Sequence, residues 1–161
     1  MLKSFNFETA LCLFLIIISS GECGMPVKVR NCPGENPKAS LAAVYIENCS
    51  QEPCVFRKGQ NVTMEMDIEL NEDVKSLKAR LYALVLGVPV LWDGVNPDAC
   101  QDIISDEPKC PLNSGDYFTY GVNLYVSPVY PTITADVKYM LLDEKQRTQI
   151  CWIVKASVKP A

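Results

Sequence analysis

The chain has no histidine at all. That removes the commonest general base and metal ligand, and the one side chain that titrates near neutral pH without being perturbed. Neither a Ser–His nor a Cys–His pair can be assembled, so nucleophilic hydrolysis of the familiar kinds is excluded. Basic excess is lacking too: 15 Lys and Arg face 19 Asp and Glu, for a net charge of −4. An acidic chain offers no electrostatic footprint for phosphate backbones, so nucleic acid is not an expected partner. Amphipathic stretches of helical period are missing as well. Beyond the first 24 residues, no apolar run approaches the roughly 20 residues that a membrane-spanning helix needs.

The N-terminal stretch reads as an export signal. Lys3 precedes an apolar run from Ala10 to Ile18, and the small residues Ser19, Ser20 and Gly21 follow. Cleavage after Gly21 leaves seven cysteines, whereas cleavage after Cys23 or Gly24 leaves Cys32, Cys49, Cys54, Cys100, Cys110 and Cys151. An even number in an exported chain points to a disulfide framework, so the division expected is 1–24 signal and 25–161 one domain. Residues alone do not choose among the connectivities that six cysteines allow. Such a protein acts in extracellular fluid or in a lysosome, and a monomer is expected.

What the chain has in quantity is alternation of period two. Phe118, Tyr120, Val122, Leu124 and Val126 fall on one side of a strand, with Thr119, Gly121, Asn123 and Tyr125 on the other. Val62–Leu70 alternates as cleanly, its outer positions being Thr63, Glu65, Asp67 and Glu69. Further strands are expected at Val27–Asn31, Leu41–Glu47, Ser76–Leu86, Ile133–Leu142 and Gln149–Val158. Ser76–Leu86, apolar on both faces in its second half, reads as a strand covered on both sides. About seven strands separated by turn signals describe an all-β, immunoglobulin-like sandwich. The uncharged face of Phe118–Val126 is expected to form one wall of an enclosed space.

One segment breaks the rhythm. Gly87–Leu112 carries four prolines and no clear pattern, yet Val88, Val90, Leu91 and Trp92 make its start apolar. A long connection of this kind is usually functional, and here it reads as the rim of a pocket. The acids Asp98, Asp102, Asp106 and Glu107 lack the regular spacing of a calcium loop, so no metal is expected. Glu65, Asp67 and Glu69 could mimic a carboxylate pair for glycoside hydrolysis, but alternation already explains them as a solvated face. Asn61-Val62-Thr63 is a glycosylation sequon, and Asn48-Cys49-Ser50 is a weaker one.

Taken in order, MPVKVRNC, the Cys49–Cys54 pair, Phe56-Arg57-Lys58-Gly59-Gln60, GVPVLW, NPDAC, Cys110-Pro111, Tyr130-Pro131 and Cys151-Trp152 resemble the ML lipid-recognition family over essentially all of residues 25–161. The resemblance implies two sheets that part to leave a lipid cavity, and the bridges Cys32–Cys151, Cys49–Cys54 and Cys100–Cys110. It implies a non-enzymatic carrier of a sterol, fatty acid or similar hydrophobic molecule, without a cofactor. A membrane lipid transporter or receptor is the partner class it implies, and some members present lipid to an immune receptor. Carried onto this chain, the family's mouth aromatic falls on Trp92, the wall valine on Val126, and the tyrosine beyond it on Tyr130. Val90, Tyr139 and Trp152 would line the same space, together with the inward face Phe118, Tyr120, Val122 and Leu124. Trp92 stands where vertebrate sterol carriers of the family have phenylalanine, Tyr139 where they have tryptophan, and Tyr125 where they have proline. Those exchanges bear on the width and polarity of a pocket.

Overall fold

The computed structural model describes residues 25–161; the expected signal segment, 1–24, lies outside the described residues. Among the described residues, nine strands form two sheets: β1 (Arg30–Asn31), β2 (Ser40–Ile46), β3 (Cys54–Arg57), β4 (Asn61–Glu69), β5 (Leu77–Val85), β6 (Val88–Leu91), β7 (Tyr117–Tyr125), β8 (Thr134–Asp143) and β9 (Thr148–Lys159). The larger sheet runs β1-β9-β8-β5-β6, with β3 alongside β9, and the smaller runs β2-β4-β7. Every pairing is antiparallel except β3 with β9. This is the expected all-β sandwich.

Alternation sets the register. In the small sheet Val62 lies opposite Leu124, Met64 opposite Val122, Met66 opposite Tyr120 and Ile68 opposite Phe118. All eight are buried against the large sheet. A slip of one residue would turn Glu65 and Asp67 inward, so burial of this face pins the pairing. From the large sheet, Leu81, Tyr139, Trp152, Leu141 and Ile150 meet it with almost no exposed surface.

The described chain departs from the sequence reading in four places. Two strands, β3 and β6, were not expected. β6 arises because Leu86 and Gly87 both take positive φ, 52° and 81°. That is the geometry of a two-residue primed turn, which folds the apolar start of the expected rim back onto β5 as a hairpin. The first expected strand shrinks to Arg30–Asn31, because Val27 donates instead to Val44 of the small sheet before the chain crosses to β9. β5 is not covered on both sides. Its outer residues Tyr82 and Leu84 are half-buried in a small cluster with Met140, Ile153 and the Cys32–Cys151 bridge.

The rest of the long connection is held down. Cys100 is bridged to Cys110, Ile103 pairs with Tyr120, and Val74 pairs with Leu112. Ile104 lies so close over Gly121 that a Cβ there would meet it at 3.0 Å, which is why β7 carries glycine at that point. Cys49–Cys54 completes the set of three bridges and fixes the start of β3.

Candidate functional site

Side-chain size along the inner face of the large sheet falls from one end to the other. On β8 the inward residues run Leu141, Tyr139, Val137, Ala135; on β9 they run Ile150, Trp152, Val154, Ala156, Val158. Ala135 lies directly opposite Ala156, and Ala83 of β5 opposite Val137. The small sheet does not compensate at this end, so the interior there is hollow. A cavity of about 250 Å³ results, open at one side. Phe56 of β3 and Ile133 close its flanks, and no charged residue lines it.

Two aromatic rings stand at the mouth. Trp92, just past β6, meets Tyr130 of the β7–β8 connection edge to face, with centroids 4.8 Å apart. Burial, and then the neighbouring Asp93, raise the Tyr130 phenol above its ordinary pKa, so it stays neutral. Trp92 is only 8% exposed, and its Nε1–H has no hydrogen-bond partner among the described residues. Around the mouth, Leu86 is fully exposed and Val129 is 86% exposed, with Val88 and Val90 also open to solvent.

Below the cavity the interior closes. Tyr139 stacks on Trp152 with an interplanar angle of 10°. The Tyr139 hydroxyl shares a 2.6 Å hydrogen bond with that of Tyr120, joining β8 to β7. Trp152 Nε1 donates to Met66 Sδ at 3.0 Å, joining β9 to β4. Burial pushes the pKa values of both tyrosines well up, so neither ionises near neutrality.

An ML-domain family model matches residues 26–158. The chain belongs to the ML-domain family. It is similar to the NPC intracellular cholesterol transporter 2 of Sus scrofa, with 26% identity over 150 residues, 93% of this chain and 97% of that protein. With the protein of the same name from Danio rerio it shares 30% identity, covering 80% of this chain and 83% of the relative. The crystal structure of a Niemann-Pick type C2 protein from the Japanese carpenter ant superposes with a TM-score of 0.72 at 24% identity, covering 82% of this chain and 99% of that one. At that identity the likeness concerns the fold.

In this ML domain the residues singled out from sequence fall into two groups. Val90, Trp92 and Tyr130 stand in the cavity wall. Phe118, Tyr120, Val122, Leu124, Val126, Tyr139 and Trp152 are buried but do not line the cavity. The Phe118–Val126 face, expected from sequence as one wall of an enclosed space, is buried against the large sheet beside this hollow. The walls that sequence reasoning missed are mainly small residues, Ala83, Ala135 and Ala156, with Val137 and Val158. A signal for them was present, since alanine recurs at inward positions at one end of three adjacent strands. Glu65, Asp67 and Glu69 stand on the outer face of the small sheet, where Asp67 accepts from the Thr119 hydroxyl. Asn61 is exposed at the first position of β4.

Proposed function

We propose that this protein is an exported, non-enzymatic carrier that takes up a hydrophobic small molecule, sterol-like or fatty-acid-like, in the cavity between its sheets and hands it on. The observation that carries the reading is an uncharged hollow of about 250 Å³ behind a pair of aromatic gateposts. Burying a guest there is driven by roughly 25 cal/mol per Å² of apolar surface removed from water, before the costs of association. Pockets for drug-sized ligands span about 300–1,000 Å³, so a bulky guest requires the walls to move apart. Relatives named as cholesterol transporters support the ligand class.

The rim supports the hand-over step. Leu86 holds a positive φ of 52° at a fully exposed hairpin tip. A non-glycine residue there costs about 1–2 kcal/mol, and asparagine or glycine would suit the turn better. Local strain at an exposed apolar tip beside a cavity is the mark of a contact surface, here for the transporter or receptor that receives the lipid. Asn61, exposed at the start of β4 in the small sheet, is the position we assign to an N-linked glycan. Mass spectrometry of lipid extracted from natively exported protein, followed by re-binding to the stripped protein, tests the carrier. Recovery of no lipid, together with no re-binding of any sterol or fatty acid, would end it.

A further inference from the structure

Glycine follows an aspartate or asparagine at one place in the chain, Asp93-Gly94, and that dipeptide comes directly after the Trp92 gatepost. Glycine is there for packing. A Cβ on residue 94 would meet Trp92 Nε1 at 3.0 Å and Cδ1 at 3.3 Å, so a larger residue would make the indole move. The connection is tied to β5 at both ends, the Trp92 amide donating to Leu81 O and the Ala79 amide to Pro97 O. Between those ties Asp93 and Gly94 are exposed. Among the described residues, the Asp93 carboxylate accepts no hydrogen bond and joins no ion pair, and the Gly94 amide has no acceptor.

Those two free groups are the ones that an intramolecular condensation consumes. Attack of the Gly94 nitrogen on Asp93 Cγ forms a C–N bond and closes a five-membered succinimide, while the carboxyl hydroxyl leaves with the amide proton as water. Water then adds to either carbonyl of the ring. Opening at Cγ restores aspartate. Opening at the α-carbonyl breaks the original peptide bond and leaves the main chain running through Cβ and Cγ, which is an isoaspartate; nothing is oxidised or reduced. Glycine favours the closure, because without a Cβ its nitrogen is unhindered and its backbone can turn freely. Asp98, four residues on from Gly94, is protected by contrast. Its carboxylate accepts from the Cys100 amide and from Gln101 Nε2, and it precedes the buried Ala99 at the start of a helical turn. We propose that Asp93 is a site of spontaneous isoaspartate formation, and that the longer backbone it leaves frees Trp92 from Tyr130. The isomer adds one main-chain atom between two fixed ties, and the slack falls beside the indole whose ring meets Tyr130 across the mouth. A covalent change of this kind alters the gate without altering composition, and it needs no lipid to occur.

The test ages the delipidated, folded protein and a guanidinium-unfolded sample side by side in warm, mildly acidic buffer. Isoaspartate is read by isoaspartyl methyltransferase labelling and located by electron-transfer mass spectrometry of the peptides. In the folded protein Asp93 should label at a rate close to that of the unfolded chain. Asp98 should label at least about tenfold more slowly than Asp93, since a charge-assisted hydrogen bond to its carboxylate must first be given up. Asp93→Glu, whose longer side chain cannot close the five-membered ring, should lose the label at that position. As label accumulates, tryptophan emission should move to longer wavelength in the parent protein and stay fixed in Asp93→Glu; Trp152 has no exposed surface, so the shift reports Trp92. Label at Asp93 in the unfolded chain but not in the folded one overturns the site, a comparison that needs no variant to fold. Label in the folded protein with unmoved emission overturns the release of Trp92. Both results are read without lipid, so the carrier stands or falls separately.

Discussion

Ala156→Leu puts the hollow interior to a direct test, because the sign of its effect depends on whether the space is there. Ala156 is buried, faces Ala135 across the β8–β9 ladder and lines the cavity. Leucine adds three carbons, each worth about 0.8 kcal/mol when buried. Fixing the longer side chain costs about 0.5–1 kcal/mol, which leaves about 1.5 kcal/mol of stabilisation. The void gives a similar figure. At about 24 cal/mol per Å³ a cavity of 250 Å³ costs on the order of 6 kcal/mol, and leucine fills a quarter to a third of it. With a urea dependence of about 1–3 kcal/mol per M, the unfolding midpoint of the delipidated variant should rise by about 0.5–1.5 M. Lipid must be stripped first, since a bound guest stabilises the parent protein by mass action. The same variant should lose lipid affinity by about tenfold or more. Val126→Phe is the matched control: Val126 has no exposed surface and does not line the cavity, so the added ring should overpack and destabilise by about 1–3 kcal/mol. A destabilised Ala156→Leu with unaltered lipid binding would refute the hollow.

Three further outcomes are expected. Tyr120→Phe strands the Tyr139 hydroxyl in the core and should cost about 1–3 kcal/mol, whereas adding Tyr139→Phe should recover most of it; additive losses in the double variant would show that the two hydroxyls are not coupled. Burial pushes the Asp102 carboxyl up, outweighing the Asn96 hydrogen bond that favours its charged form, and Oδ2 has no hydrogen-bond partner among the described residues. Its folded pKa therefore lies above the unfolded value near 4, so its charge costs stability at neutral pH and protonation relieves the cost; Asp102→Asn should be more stable than the parent at pH 7 and no more stable at pH 4 by chemical denaturation. Asp143 is the opposite case: burial alone would raise it, but the Lys145 and Arg147 amides and the Arg147 guanidinium hold it low. Stability from Asp143 is present above about pH 4 and lost as pH falls through the lowered value, so Asp143→Asn should be weaker at neutral pH and show a shallower acid-unfolding limb.

Strands announced themselves wherever one face is buried and the other wet. Val62–Leu70 was readable almost residue by residue, because Met64, Met66 and Ile68 alternate with acids that burial cannot accommodate. β6 escaped because both of its faces are apolar and half-exposed at an edge, leaving no alternation to read, and because its turn uses Leu86 where asparagine or glycine would have signalled a hairpin. The small-residue walls of the cavity escaped notice for a related reason. Large apolar side chains such as Phe118 and Leu124 draw attention as pocket walls, yet large side chains fill space. Hollows form where inward residues are small, and alanine carries too little hydrophobic signal to be noticed singly. The mouth residues Val90, Trp92 and Tyr130 were legible through the family resemblance rather than through any periodicity.

The position of the polar contacts inside the core says which part of the sandwich can yield. Among the described residues, the buried side-chain hydrogen bonds that cross between the sheets are Tyr120 to Tyr139 and Trp152 to Met66. Both lie below the cavity, in the half filled by large interlocking side chains. Parting the sheets there would leave hydroxyl and indole groups unpaired in an apolar interior, a cost that adds to the lost packing. At the cavity end no buried side-chain hydrogen bond crosses between the sheets among the described residues; the layers meet there through the backbone bonds of Lys58 to Lys159 and Gly59 to Val126, and across the mouth through the edge-to-face pair of Trp92 and Tyr130. Each ring sits on a connection rather than inside a strand. On the carrier reading, a guest larger than the resting hollow would be admitted by swinging the segment after β6 away from the β7–β8 connection, with the clasped half as the fixed base.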